Sequence, residues 1–231
     1  MLEIISINQD TYRIEDVKSR FFLLIGKERA LLIDSGRTAV NAKEIVQQLT
    51  ALPIDLLNTH ADFDHIAGND AFSTVYMHPS EYVNYFVKGK KHPQPTAIWD
   101  QQIIDLGNRE LQIISIPGHT PGSIAILDRK YRVLYSGDSV QNGRIYMFGE
   151  FRNMGAYKQS LLKLKKYKDD FDCVYAAHGT FNLASTIVDD LIDVVNKIDN
   201  KEIPFEEITV DNQIVRQYSS ETAKFLLDIE I

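Results

Sequence analysis

Hydrophobic and polar positions fall along this chain in short runs divided by turn residues, and the period of the runs changes along its length. Residues 2–7, 11–14, 20–26 and 30–34 are rich in branched and aromatic side chains and read as strands. Phe21-Phe22-Leu23-Leu24-Ile25 ends at Gly26, Lys27-Glu28 makes a turn, and Ala30-Leu31-Leu32-Ile33-Asp34 is closed by Ser35-Gly36, so an antiparallel meander is predicted. From Ala39 to Leu52 the period lengthens: Ala42, Ile45, Val46 and Leu49 share one helix face, and Pro53 stops the helix. A short buried strand, Ile54–Asn58, follows. Strand Thr74–Met77, a helix over Pro79–Val87 with proline in its first turn, and a loop over 89–95 come next. Strands return at 111–116, 124–127 and 132–135, the last two joined by Asp128-Arg129-Lys130. Residues 143–155 read as a long loop, 157–167 as a helix with Leu161, Leu162 and Leu164 on its apolar side, 171–177 as a strand, and 185–198 as an amphipathic helix. The polar-apolar tail from Phe205 predicts added edge strands. A β-rich stretch followed by a helix occurs twice. That pattern predicts two similar halves of one domain spanning 1–231, with 201–231 as its C-terminal extension.

The densest chemistry lies in Thr59-His60-Ala61-Asp62-Phe63-Asp64-His65, directly after the strand at 54–58 and before the tight turn Ile66-Ala67-Gly68-Asn69. In α/β proteins the C-terminal ends of strands are where functional groups collect. Three later runs end the same way: Ile116-Pro117-Gly118-His119, Tyr135-Ser136-Gly137-Asp138 and Tyr175-Ala176-Ala177-His178-Gly179. Together they supply His60, His65, His119 and His178 with Asp62, Asp64 and Asp138, enough for two metal ions. Imidazole nitrogens and carboxylate oxygens suit zinc, iron or manganese. Thr59 and Thr120 stand beside ligands and read as groups that orient them by hydrogen bonds, Thr59 equally as a residue that serves only the turn. His78, before Pro79, reads as a capping or surface residue, and His92 as a solvated loop residue. Asn142, Arg144 and Tyr146 follow Asp138 and face either substrate or solvent. Tyr146, Phe148 and Phe151 form either a pocket wall or the contact of a homodimer.

This arrangement resembles the metallo-β-lactamase superfamily of metallohydrolases, whose usual run is His-x-His-x-Asp-His followed by a distant His, a bridging Asp and a last His. Pro-Gly-His-Thr-Pro-Gly-Ser at 117–123 and Ser-Gly-Asp at 136–138 match the family surroundings, and the resemblance covers roughly residues 1–200. It implies an α+β fold, a four-layer αββα sandwich with a binuclear centre in the groove between the sheet edges. Site one would take His60, Asp62 and His119; site two would take Asp64, His65 and His178; Asp138 would bridge. Asp64 and Asp138 would carry the catalytic role, and two divalent ions, zinc foremost, would turn a bridging water into hydroxide near neutral pH. Asp62 departs from the pattern, standing where the family has its second His. The change hardens the ligand set and leaves a second reading open, an iron oxidoreductase like the flavodiiron members, although 231 residues leave no room for their flavodoxin domain. A third reading is a non-catalytic metal-bound sensor, motivated by the tail. The first reading is a hydrolase of a small ester, thioester, lactone or phosphodiester.

Composition narrows the partners. The chain is 44% hydrophobic and 25% charged, ordinary for a globular protein that buries a sizeable core. A net charge of −7 argues against a nucleic-acid surface and leaves a small molecule as the expected partner. Lys88, Lys90 and Lys91 make the one dense basic spot and read as a solvated loop. The one cysteine, Cys173, lies in an apolar run and reads as a buried strand residue. Met1-Leu2-Glu3-Ile4 opens the chain without a basic region or a long apolar stretch, which predicts no membrane span and a cytoplasmic home.

Overall fold

The computed structural model describes residues 2–87 and 92–229; the basic spot at Lys88, Lys90 and Lys91 lies outside them. The opening meander is present: β1 (Glu3–Asn8), β2 (Thr11–Asp16), β3 (Ser19–Ile25) and β4 (Ala30–Ile33) pair antiparallel in order. After α1 (Ala42–Gln47), strands β5 (Ile54–Leu57), β6 (Val75–Met77) and, past the single turn of α2 (Tyr82–Tyr85), β7 (Thr96–Ala97) add in parallel to complete seven strands. Helix α1 is shorter than its apolar period predicts. The Gln47 side chain bonds the Thr50 and Leu52 carbonyls, satisfying in a turn the groups that further helix would have used.

The second sheet is built from β8 (Ile103–Asp105), β9 (Glu110–Ser115), β10 (Ile124–Asp128), β11 (Val133–Gly137), β13 (Cys173–Ala176) and β14 (Leu183–Ala184), in the spatial order β14-β13-β11-β10-β9-β8. Alternation along single strands sets the layers, because successive side chains leave opposite faces of a sheet. In β3, Phe21 and Leu23 pack with Ala42 and Val46 of α1, while Phe22 and Leu24 face the other sheet. In β10, Ile124 and Ile126 meet that first sheet, while Ala125 and Leu127 meet α3 (Met154–Lys165) and α4 (Ile187–Asp199). Helix, sheet, sheet and helix pair therefore form the four-layer αββα sandwich.

The tail does form strands, but it does not lengthen either main sheet. β15 (Phe205–Val210), β16 (Gln213–Ser219) and β17 (Lys224–Leu227) join β12 (Arg144–Met147) in a third sheet, ordered β12-β17-β16-β15. Its Ile145, Met147, Phe225 and Leu227 pack into the cluster of α3 and α4. The stretch at 143–155 is accordingly part strand and part helix start, since its apolar alternation is completed by a partner eighty residues away. No helix among the described residues is long and apolar enough to cross a membrane.

Buried Arg109 ties the two main sheets together. Its Nε and Nη2 bond Asp128 Oδ2 at 2.8 and 2.6 Å in the second sheet, and it donates to Asp10 O, Ile25 O and Thr11 Oγ1 in the first. With both partners fully buried and every polar group matched, this pair avoids the large desolvation penalty of an unpaired charge.

Candidate metal centre

Four strand ends deliver the predicted residues to one place. His60 to His65 follow β5, His119 follows β9, Asp138 follows β11 and His178 follows β13. Backbone contacts join the sheets here: Ile124 N donates to Thr59 O at 2.9 Å and Arg20 N to Ala177 O at 2.9 Å. Two glycines permit close approaches. Gly118 has φ of 144°, and a Cβ there would lie 2.4 Å from Tyr157 Cα; Gly137 has φ of 52°, and a Cβ there would lie 2.6 Å from Thr59 Oγ1.

All four imidazoles are fixed through Nδ1 and turn Nε2 inward. His65 Nδ1 meets Asp34 Oδ2 at 2.8 Å, His60 Nδ1 meets Thr59 Oγ1 at 3.0 Å, His119 Nδ1 meets Tyr146 O at 2.9 Å and His178 Nδ1 meets Lys18 O at 2.6 Å. A carbonyl or carboxylate at Nδ1 selects the tautomer whose free lone pair is on Nε2, the form that binds metal. Nε2 of His60, His65 and His119 and Oδ1 of Asp138 are buried without a hydrogen-bond partner. Buried polar atoms left so are rare unless something else satisfies them.

Distances between these inward atoms suit metal ligands. Asp138 Oδ1 is 3.2 Å from both His65 Nε2 and His178 Nε2, while its Oδ2 is 3.7 Å from His119 Nε2. Asp64 Oδ2 is 3.4 Å from His178 Nε2, and Asp62 Oδ2 is 3.5 and 3.4 Å from His60 and His119 Nε2. Tetrahedral ligands about 2.0–2.1 Å from one zinc stand roughly 3.3–3.4 Å apart. The ligand atoms of His60, His119 and Asp138, and those of Asp64, His65 and His178, form two groups that could each hold an ion. The residues therefore fit divalent metals.

Opposite charges crowded together displace the titrations. Burial disfavours the charged forms throughout, but His178 and His65 hold Asp138 well below the usual carboxylate range. Against the same burial, Asp138 and Asp34 raise His65 well above its ordinary value, and Asp138 and Asp64 push His178 up to about 10. Burial, seconded by Arg152, lowers His119. Burial also opposes ionisation of Asp62, and the imidazoles of His119 and His60 overcome it.

A family model described as the metallo-beta-lactamase superfamily matches residues 16–178. The chain belongs to the metallo-beta-lactamase superfamily. It is accordingly a hydrolase by class. It is 24% identical over 204 residues to an acyl-coenzyme A thioesterase MBLAC2 of Gallus gallus, covering 72% of this chain and 73% of that one. It is 26% identical over 174 residues to a hydroxyacylglutathione hydrolase of Francisella tularensis, covering 73% and 68%. A metallo-beta-lactamase from Pontibacter korlensis shares the fold with a TM-score of 0.73 at 16% identity, over 85% of this chain and 99% of that one.

Within this superfamily fold, several residues that support the centre were missed by sequence reasoning. Asp34, buried after β4 with φ of 62°, accepts from Thr59 N and Thr59 Oγ1, each at 2.8 Å, besides holding His65. Glu81 is fully buried; its Oε2 accepts from Ala61 N at 2.8 Å and its Oε1 from Gly122 N at 2.7 Å, joining the His60 and His119 loops. Arg20 donates to the carbonyls of Ala176, His178 and Gly179. Each is an isolated charge beside a strand or turn, with no motif to single it out. Thr59 orients His60 as expected, but Thr120 bonds Ser123 and steadies the turn instead. Asn142 bonds Thr180 and turns from the cavity, whereas Arg144, Tyr146 and Phe148 line it. His78 caps through Ser80 N, and His92 is not solvated but pairs with Asp70 at 2.8 Å and stacks on Tyr85.

The cavity over the centre measures about 510 Å³. Besides the metal-facing groups, it is lined by Lys18, Arg37, Arg144 and Arg152 and by Phe63, Tyr146 and Phe148, with Asp211 the one acid outside the seven predicted ligands.

Proposed function

We propose that this chain is a two-metal hydrolase of acyl thioesters whose thiol half is anionic. His60, Asp62 and His119 would hold one ion and Asp64, His65 and His178 the other, with Asp138 between the two groups. The observation that carries this reading is the convergence of His65, His119 and His178 through Nε2 on Asp138, whose two oxygens divide between the two groups, with His60 grouped beside His119. Divalent ions bound there supply Lewis acidity and lower the pKa of water toward neutrality. The His and carboxylate set suits zinc, and the carboxylate of Asp62 also suits iron or manganese.

The remaining work falls to the chain. Asp34, Thr59 and the carbonyls of Tyr146 and Lys18 hold the rings in the ligating tautomer. The carboxylates of Asp64 and Asp138 stay ionised beside cations. Lys18, Arg37, Arg144 and Arg152 balance the four aspartates of the cavity lining, so with divalent ions bound the cavity would be positive and draw an anionic substrate. The aromatic wall of Phe63, Tyr146 and Phe148 suits an apolar acyl group. Relatives named as an acyl-coenzyme A thioesterase and a hydroxyacylglutathione hydrolase support a thioester over the ester, lactone and phosphodiester alternatives.

The test is a panel of acyl-coenzyme A and hydroxyacylglutathione thioesters, with released thiol measured before and after chelation and after restoring Zn²⁺. Metal-dependent thiol release is expected. Turnover of oxygen esters or phosphodiesters with none of any thioester would sink the thioester assignment.

A further inference from the structure

Arg152 is joined to the one position at which this chain departs from the superfamily pattern. Its Nη2 donates to Asp62 Oδ2 at 2.6 Å, the same oxygen that stands beside the Nε2 atoms of His60 and His119. Asn84 Nδ2 donates to Asp62 Oδ1 at 3.1 Å, so both oxygens are already engaged. Arg152 is firmly placed. The next residue, Asn153, donates its N–H to Gly118 O at 2.9 Å, beside His119, and its side chain caps α3 through Ala156 N at 2.8 Å. Phe151 before it takes the left-handed backbone, φ 71°.

Charge counting gives the pair a purpose. With histidine at position 62 the centre would hold two carboxylates, Asp64 and Asp138; with Asp62 it holds three. The guanidinium of Arg152 returns the total to its former value. Resting on the metal-centre reading above, we infer that Arg152 is a positioning residue, the built-in counter-charge of Asp62. It shares the Asp62 oxygen with the ion held by His60 and His119, and so limits how tightly that ion is bound.

This role predicts an unusual sign. Removing the charge of Arg152 frees the Asp62 oxygen and takes a cation away from the ion, so binding there should tighten. Coulomb interaction at these separations is large enough for about a tenfold effect or more. A residue that merely propped its loop would leave metal binding unchanged or weaken it when removed. Asp62→His on its own strands Arg152 beside three imidazoles and an ion, so the two substitutions should be strongly non-additive.

The experiment titrates metal-free protein with Zn²⁺ in competition with a chromophoric chelator, with circular dichroism confirming the fold. Wild type should take two equivalents. Arg152→Met should bind one of them about tenfold more tightly or better and leave the other unchanged. Arg152→Lys, which keeps the charge, should stay near wild type. Arg152→Gln is a second neutral variant should the methionine protein not fold, and it should tighten as well. Asp62→His should hold its weaker ion less well than Asp62→His combined with Arg152→Gln. Two ions in wild type with no tightening in folded neutral variants would overturn the role of Arg152 alone. Failure of wild type to take up Zn²⁺ would overturn the metal-centre reading beneath it.

Discussion

Asp34→Asn tests how far the metal centre depends on a residue that need not touch a metal. The substitution keeps size and shape. Asn also occupies the left-handed region readily, so the backbone at φ 62° should not move; alanine would add roughly 1–2 kcal/mol of strain there and blur the result. Asp34 now receives three donors at 2.8 Å: Thr59 N on Oδ1, and Thr59 Oγ1 and His65 Nδ1 on Oδ2. An amide offers one oxygen and one NH₂, so in either orientation a donor faces a donor. Hydrogen bonds to a charged group contribute about 1.5–3 kcal/mol each. Loss of such a group behind a ligating histidine typically costs about 10–100-fold in metal affinity. That corresponds to about 1.4–2.8 kcal/mol. The loss should fall chiefly on the ion bound by His65, with a smaller effect reaching His60 through Thr59. Chelator-competition titration with Zn²⁺ reads both equivalents, and thioesterase rate reads the consequence. A mutant whose two affinities stay within about twofold of wild type, far short of the expected loss, would show that Asp34 does not orient His65 for metal.

Two further outcomes are expected. Arg109→Met leaves the Asp128 carboxylate buried and unpaired, which should cost about 3–5 kcal/mol, whereas pairing it with Asp128→Leu should recover much of that loss. In a chain of this size the single mutant should melt roughly 6–20 °C lower, and an unchanged melting temperature would show that the inter-sheet pair is not structural. In the metal-free protein, His178 is raised to about 10 by Asp138 and Asp64 against the opposing effect of burial. A raised histidine stabilises the fold fully below its unfolded pKa near 6.5, and that contribution is lost as pH climbs through about 10. Metal must displace the same proton, so Zn²⁺ affinity should rise between pH 6 and 8 while metal-free stability falls; a pH-independent affinity would contradict this.

The sequence by itself marked out most of the strands and the seven candidate ligands, and its family resemblance implied the sandwich. Period-two runs such as Phe21–Ile25 and Ile124–Leu127 record locally which side of a sheet is buried, and a His or Asp at a strand's end needs no distant partner to be noticed. Tertiary structure decided what pairs with what. Arg144–Met147 became a strand only because Lys224–Leu227 lies beside it, so a run that looked like loop was the edge strand of a four-stranded sheet. Asp34, Glu81, Arg109 and Arg152 are single charges in ordinary stretches, and their meaning comes from partners 25 to 31, 20 to 41, 19 to 99 and 90 residues away. A local pattern records burial because burial repeats with the backbone's own period. The identity of a charge's partner has no period, and only the folded chain, by excluding water and closing the distance, makes one carboxylate a counter-ion and another a candidate ligand.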